Sequence, residues 1–148
     1  MSTFGFIAIA LAGIALVHSA ATNTFHDRIK AAKAACIEKG GDAEEFKQLW
    51  KTHKIPETEA GKCFLGCIMK EMGVLVDGKF DIEKLNSDVP EKWSDDESRE
   101  KAMKLNKDCV QASTEGKDDC DLATKFASCF VTESDKVGLK PPGHVESD

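Results

Sequence analysis

Six cysteines carry most of the chemistry available to this 148-residue chain: Cys36, Cys63, Cys67, Cys109, Cys120 and Cys129. Thiols can ligate a metal, exchange with other disulfides or form structural cross-links, and spacing separates the three. No C-x-x-C redox motif occurs, and Cys63-x3-Cys67 has no matching second set of closely spaced cysteines or histidines for a zinc module. An even count in a short chain, behind an apolar leader, reads as structural disulfides formed in an oxidising compartment. Helix geometry limits the pairing. Cys63 and Cys67 stand one turn apart, with Cβ atoms about 5–6 Å apart where a disulfide needs about 3.8 Å. Cys120 and Cys129 fall on opposite faces of one helix, about 13.5 Å apart along its axis. Neither pair can close, and several of the roughly 15 complete pairings stay open.

Catalysis has little else to work with. Beyond the leader, histidines stand only at His26, His53 and His144, none beside a candidate nucleophile. Ser94, Asp95, Asp96 and Glu97 are explained by helix capping. The chain therefore reads as a non-enzyme, with no cofactor and no metal. His53, beside Lys54-Ile55-Pro56, and His144, near the C-terminus, are candidate pH sensors that could couple protonation to ligand release or tail position. An exposed histidine without such a role is the plainer alternative for both.

The elements that must position these groups begin after residue 21. From Phe4 to Val17 the chain is uncharged and apolar apart from two glycines, and His18-Ser19-Ala20-Ala21 offers cleavage after Ala20 or Ala21. As a helix that run covers about 21 Å, short of the roughly 30 Å hydrocarbon core. Residues 1–21 thus read as a signal peptide of a secreted, extracellular protein, and residues 22–148 as one domain without membrane insertion. All 20 basic and 26 acidic side chains lie in that domain, and the net charge of −6 argues against nucleic acid as a partner. No N-glycosylation sequon is present.

Periodicity predicts an all-α fold. Asn23 or Thr24 caps a first helix with Phe25, Ile29, Ala32 and Cys36 on one side, ended by Gly40-Gly41. Asp42 with Glu45 opens a second helix bearing Phe46, Leu49 and Trp50, closed before Pro56. A third, from about Glu57 to Met72, is apolar over about two thirds of its circumference and should be central. Val74 to Phe80 is expected to be an apolar loop with an Asp-Gly turn. A short helix follows near Ile82 and Leu85 before Pro90 breaks the chain. Ser94 with Glu97 predicts a capping box for a helix to about Ala112, with Glu97/Lys101 and Glu100/Lys104 pairs on its exposed side. The last helix is expected from Asp119 to Val131, with Leu122, Phe126 and Phe130 on one face and a polar tail from about residue 132.

The spacing Cys36-x26-Cys63-x3-Cys67-x41-Cys109-x10-Cys120-x8-Cys129 resembles that of the insect odorant-binding protein family, the six-cysteine general and pheromone-binding type. The x3 and x8 intervals are its most specific marks. Gly73-Val74-Leu75, Asp77-Gly78-Lys79-Phe80 and Cys120-Asp121-Leu122-Ala123 are similar to the family too. The resemblance is strong from Cys36 to Cys129 and weak beyond. It implies interlaced bridges Cys36–Cys67, Cys63–Cys120 and Cys109–Cys129, and about six helices around an internal apolar pocket. Such proteins carry small volatile or lipid-like molecules through aqueous fluid. Two features depart from the family: the chain has no tyrosine, and its polar stretch after Cys129 argues against a tail buried as a pocket wall.

Three staples make a cavity on the order of a few hundred Å³ tolerable in a domain of this size. Candidates for its wall are Ile29, Leu49, Phe64, Leu65, Ile68, Met72, Leu75, Phe80, Leu85, Trp93, Met103, Leu105, Phe126 and Phe130. Plain core packing explains each of them equally well. Met69, Met72 and Met103 would favour broad selectivity. Burying ten methylenes contributes roughly 8 kcal/mol, less the loss of rigid-body freedom. The expected ligand is a small hydrophobic molecule, a medium-chain alcohol, ester or aldehyde held at micromolar affinity. Rival readings are a secreted helical protein with a filled core that acts through a protein partner, and a lipid carrier outside olfaction. An olfactory receptor or a second copy of the chain are the macromolecules such a carrier would meet.

Overall fold

Helices begin here where a short polar side chain can take up their free N–H groups. A computed structural model describes residues 24–140 and 142; the leader at 1–21 and His144 lie outside the described residues. The elements run α1 (Phe25–Glu38), α2 (Glu44–Thr52), α3 (Glu59–Glu71), β1 (Leu75–Val76), β2 (Lys79–Phe80), α4 (Ile82–Ser87), α5 (Val89–Lys92), α6 (Asp96–Ala112) and α7 (Asp119–Val137). Thr24 forms a capping box with Asp27 at the start of α1, while Thr58, Asp81 and Asp118 each accept a backbone N–H at the start of α3, α4 and α7. The fold is all-α, and α5 amounts to a single turn.

α3 is central. It packs on α1, α2 and β1, and most extensively on α7, which also lies along α6. Phe64, Leu65 and Ile68 of α3 are buried. Gly66 permits the close approach of α7, since a Cβ there would meet the Asp119 carbonyl oxygen at 3.0 Å. Three disulfides follow the same contacts: Cys36–Cys67 joins α1 to α3, Cys63–Cys120 joins α3 to α7, and Cys109–Cys129 joins α6 to α7. Each contributes roughly 3–4 kcal/mol by restricting the unfolded chain.

Several local expectations are corrected. The stretch expected to be a loop is a hairpin: Leu75 pairs with Phe80 and Val76 with Lys79. Asp77 and Gly78 take φ of 49° and 71°, the primed turn that matches strand twist. Glu45 does not box the start of α2; its carboxylate accepts the Glu57 and Thr58 N–H groups ahead of α3. Pro90 starts α5 instead of breaking the chain, a position where its missing N–H costs nothing. Asp95, not Ser94, caps α6, by accepting the Ser98 N–H. Lys104 pairs with Asp108 at 2.6 Å in place of Glu100.

The largest correction concerns the tail. α7 continues past Val131 to Val137, and Gly138 ends it in the left-handed region at φ 67°. Ser134, one turn beyond Phe130, stays on the buried stripe. The Leu139 N–H then donates to the Ser134 carbonyl at 2.9 Å, and Leu139 is buried with Val89, Trp93, Ala102 and Leu105. The segment read as a polar tail is therefore part helix and part lid.

Candidate ligand-binding site

The apolar interior is divided into two chambers. One, of about 110 Å³, lies between α2, α3, α7 and the segment after α7. The other, of about 120 Å³, lies between α1, α2, α3, α4–α5 and α7. We call them the C-terminal and N-terminal chambers. Trp50, Leu65, Met69, Trp93, Phe126, Phe130 and Pro142 line both and form the partition. Its rigid part is an aromatic row: Phe126 stacks on Phe130 at 6.0 Å between ring centres, and Phe130 faces Trp93 at 6.4 Å. Phe80 of the hairpin backs Phe126 at 4.9 Å. Trp93 is held by its indole N–H, which donates to the Lys140 carbonyl at 2.9 Å.

Polar groups differ between the chambers. The C-terminal chamber is lined by His53 and Ser134. His53 takes a left-handed conformation at the end of α2 (φ 57°), and its Nδ1 lies 3.1 Å from Asp135 Oδ1 on α7. Ser134 Oγ and Trp50 Nε1 are both buried without a hydrogen-bond partner among the described residues. Asp88, Lys92 and Asn106 line the N-terminal chamber. The Asp88 carboxylate is buried and accepts from Arg28 Nη2 at 2.5 Å, and Asn106 donates to Asn86 at 3.0 Å. Lys92 Nζ sits 4.3 Å above the centre of the Phe25 ring. Burial pushes the Lys92 pKa down to about 8, a fall that the nearby Asp88 charge opposes.

Nine of the sequence-derived wall residues line the chambers. Ile29, Ile68, Met72 and Leu85 face the N-terminal one, Leu49 the C-terminal one, and Leu65, Trp93, Phe126 and Phe130 both. Five do not. Phe64 packs edge-on against Phe46 and faces a groove over two of the disulfides. Leu75 is buried in β1, Phe80 stands behind Phe126, and Leu105 belongs to the second core cluster. Met103 is 38% exposed, because it lies between Ala102 and Leu105 in sequence but off their face of α6. Wall residues missing from the sequence list include Phe25, Phe46, Trp50, Val74, Leu139 and Pro142. The helical stripes already carried the first three; nothing local marked the last two. Glu59, Cys63 and Cys120 also come together, but both sulfurs are spent in a disulfide.

Helices cross-linked in the order α1–α3–α7–α6 around a divided apolar interior define a small disulfide-stapled binding scaffold. Residues 18–133 match the PBP/GOBP family, and the chain belongs to it. It is 29% identical over 135 residues to general odorant-binding protein 28a of Drosophila melanogaster, covering 90% of this chain and 94% of that protein. The solved structure of odorant-binding protein 28a from the same fly superimposes with a TM-score of 0.63 at 27% identity, covering 76% of this chain and 94% of that one.

Proposed function

We propose that this protein is a secreted carrier that takes small hydrophobic molecules into the two chambers and moves them through aqueous extracellular fluid. The divided apolar interior is the observation that carries this reading, and the 28a relative, named an odorant-binding protein, supports it. The apolar leader and three bridges support secretion. Each chamber is somewhat smaller than the roughly 150 Å³ cavity that accepts a benzene ring. A medium-chain ligand must therefore span both, displacing Leu65 and the adaptable Met69 while the aromatic row guides it. The same chambers disfavour the filled-core alternative. Hand-over to an olfactory receptor, or pairing with a second copy, would act on the loaded carrier.

Both tryptophans of the chain line the partition, so binding has an intrinsic reporter. Titrating the oxidised mature protein with decan-1-ol should shift and saturate tryptophan emission at one site with micromolar Kd. An unchanged spectrum across alcohols, esters, aldehydes and acids would overturn the carrier. His53 and Asp135 add a pH arm: protonation of His53 would turn their contact into an ion pair clipping α2 to α7 over the C-terminal chamber. Equal decan-1-ol affinity at pH 7.5 and 5 would remove that role.

A further inference from the structure

Two cationic groups converge on the ring of Phe25, which lines the N-terminal chamber. Lys92 Nζ lies over the Phe25 face, and the Arg28 guanidinium carbon lies 5.8 Å from the same ring centre. Lys92 lines the chamber, yet its ammonium makes no hydrogen bond or ion pair among the described residues beyond the ring contact. Arg28 gives one nitrogen to Asp88 at 2.5 Å and, more loosely, to Glu91 at 3.4 Å. Its other nitrogen, Nη1, is buried with no acceptor. Asp88 is already shared between Arg28 and, at 3.9 Å, Lys84. Among the described residues three cations thus gather around two carboxylates beside an apolar chamber that Asp88 and Lys92 line, and Lys92 Nζ and Arg28 Nη1 have no acceptor. A buried donor without an acceptor is costly, which is the position of Arg28 Nη1, and half-buried Lys92 has the Phe25 ring face beside its ammonium.

We infer that the N-terminal chamber takes a ligand with an anionic head, the carboxylate of a medium-chain acid, placed between Lys92 Nζ and Arg28 Nη1 with its chain running toward the partition. The inference rests on the carrier reading and names the ligand class for one end of that site. A carboxylate supplies two acceptor oxygens and one negative charge, which match the two donors without a partner among the described residues and the excess of one cation there. An alcohol or ester of the same length would fill the same apolar space and leave the cations unpaired.

The test compares decanoate with decan-1-ol at pH 7 on the oxidised mature chain, by tryptophan emission and by calorimetry. The native protein should prefer decanoate by tenfold or more. Lys92→Met should cut that ratio at least fivefold, and Lys92→Arg should retain it. A native ratio near one, or a ratio unchanged in Lys92→Met, would overturn the head-group site while leaving the carrier in place if decan-1-ol binds. Failure of both ligands to bind would overturn both. Should Lys92→Met not fold, the native pH profile decides. Decanoate affinity should fall tenfold as pH rises from 7 to 10 while decan-1-ol affinity stays level, with Asp88, Glu91, Arg28 and Lys84 as the charged groups facing Lys92. Parallel profiles for the two ligands would count against the site.

Discussion

The two chambers share a partition but are closed by different means. The N-terminal chamber ends on helices α1 and α5, clamped by the Arg28–Asp88 ion pair and by Glu91, which accepts the Phe25 N–H. The C-terminal chamber ends on a segment outside any helix, held by the buried Leu139, whose N–H donates to Ser134, and by the hydrogen bond from Trp93 to Lys140. A helix clamp centred on the buried Asp88 carboxylate at one end and a short segment outside any helix at the other give a single interior two unlike exits. Among the described residues the lid carries no ion pair while the clamp has a buried one, so loading and release should use the C-terminal end, while the Asp88–Arg28 end orients what has entered. That difference can be broken or sharpened one residue at a time.

The partition should yield the largest effect. Phe126 is buried, stacks on Phe130 and Phe80 and faces both chambers. Phe126→Ala should cost about 3–5 kcal/mol of stability, read by denaturant unfolding, and merge the chambers so that bulkier ligands bind. A loss under about 1 kcal/mol would mean the row does not separate them. Next comes the lid. Leu139→Ala should cost about 2–4 kcal/mol, expose Trp93 to water and speed ligand release, with decanoate and decan-1-ol affected alike. Unequal effects on the two ligands would place their heads at the lid.

At the charged end the expected change has the opposite sign. Folding holds the Lys92 pKa at about 8, below its unfolded value. Between the two values the unfolded chain binds more protons, so stability rises as pH climbs through that window and is lowest where Lys92 is charged in both states. Removing the charge with Lys92→Met should stabilise the unliganded protein at pH 7 by about 1–3 kcal/mol and flatten the rise above pH 8. Destabilisation at pH 7 would show that Lys92 has a partner that stabilises its charge.

How much of this was legible follows the range of the forces involved. The stripes on α1, α3 and α7 repeat every three to four residues, and a repeat of that kind is written locally; spacing puts Ile29, Leu65, Ile68, Phe126 and Phe130 on buried faces, while the pocket they line follows from the family resemblance. The α7 C-terminus was not legible, because Thr132, Glu133, Asp135 and Lys136 outvote Ser134 in any local window although only Ser134 turns inward. Leu139 and Pro142 reach the chambers only because Gly138 reverses the chain there, and a single isolated leucine carries no periodicity. Lys92 was missed for a related reason. A lysine beside Glu91 reads as solvated surface, and only the meeting of α5 with α1 brings its ammonium over the Phe25 ring. The hairpin at Asp77-Gly78 is not legible because its second strand, Lys79–Phe80, is too short to stand out as a strand after the turn.

Ser134 gives the smallest predicted effect and the finest test of the unlike ends. Its hydroxyl is buried in the C-terminal chamber with no partner among the described residues, while a serine one turn inside a polar stretch would ordinarily face water. Desolvating a hydroxyl without a hydrogen bond is unfavourable, so Ser134→Ala should leave the unliganded protein unchanged or more stable by up to about 1 kcal/mol. If a ligand hydroxyl reaches this end, the same change should weaken decan-1-ol by about three- to tenfold and leave decanoate, anchored at Lys92, nearly unaffected. The two single substitutions, Ser134→Ala and Lys92→Met, would then move the two ligands in opposite order. Equal weakening of both ligands by Ser134→Ala would mean that head chemistry does not choose the chamber, and that the charged clamp serves the fold alone.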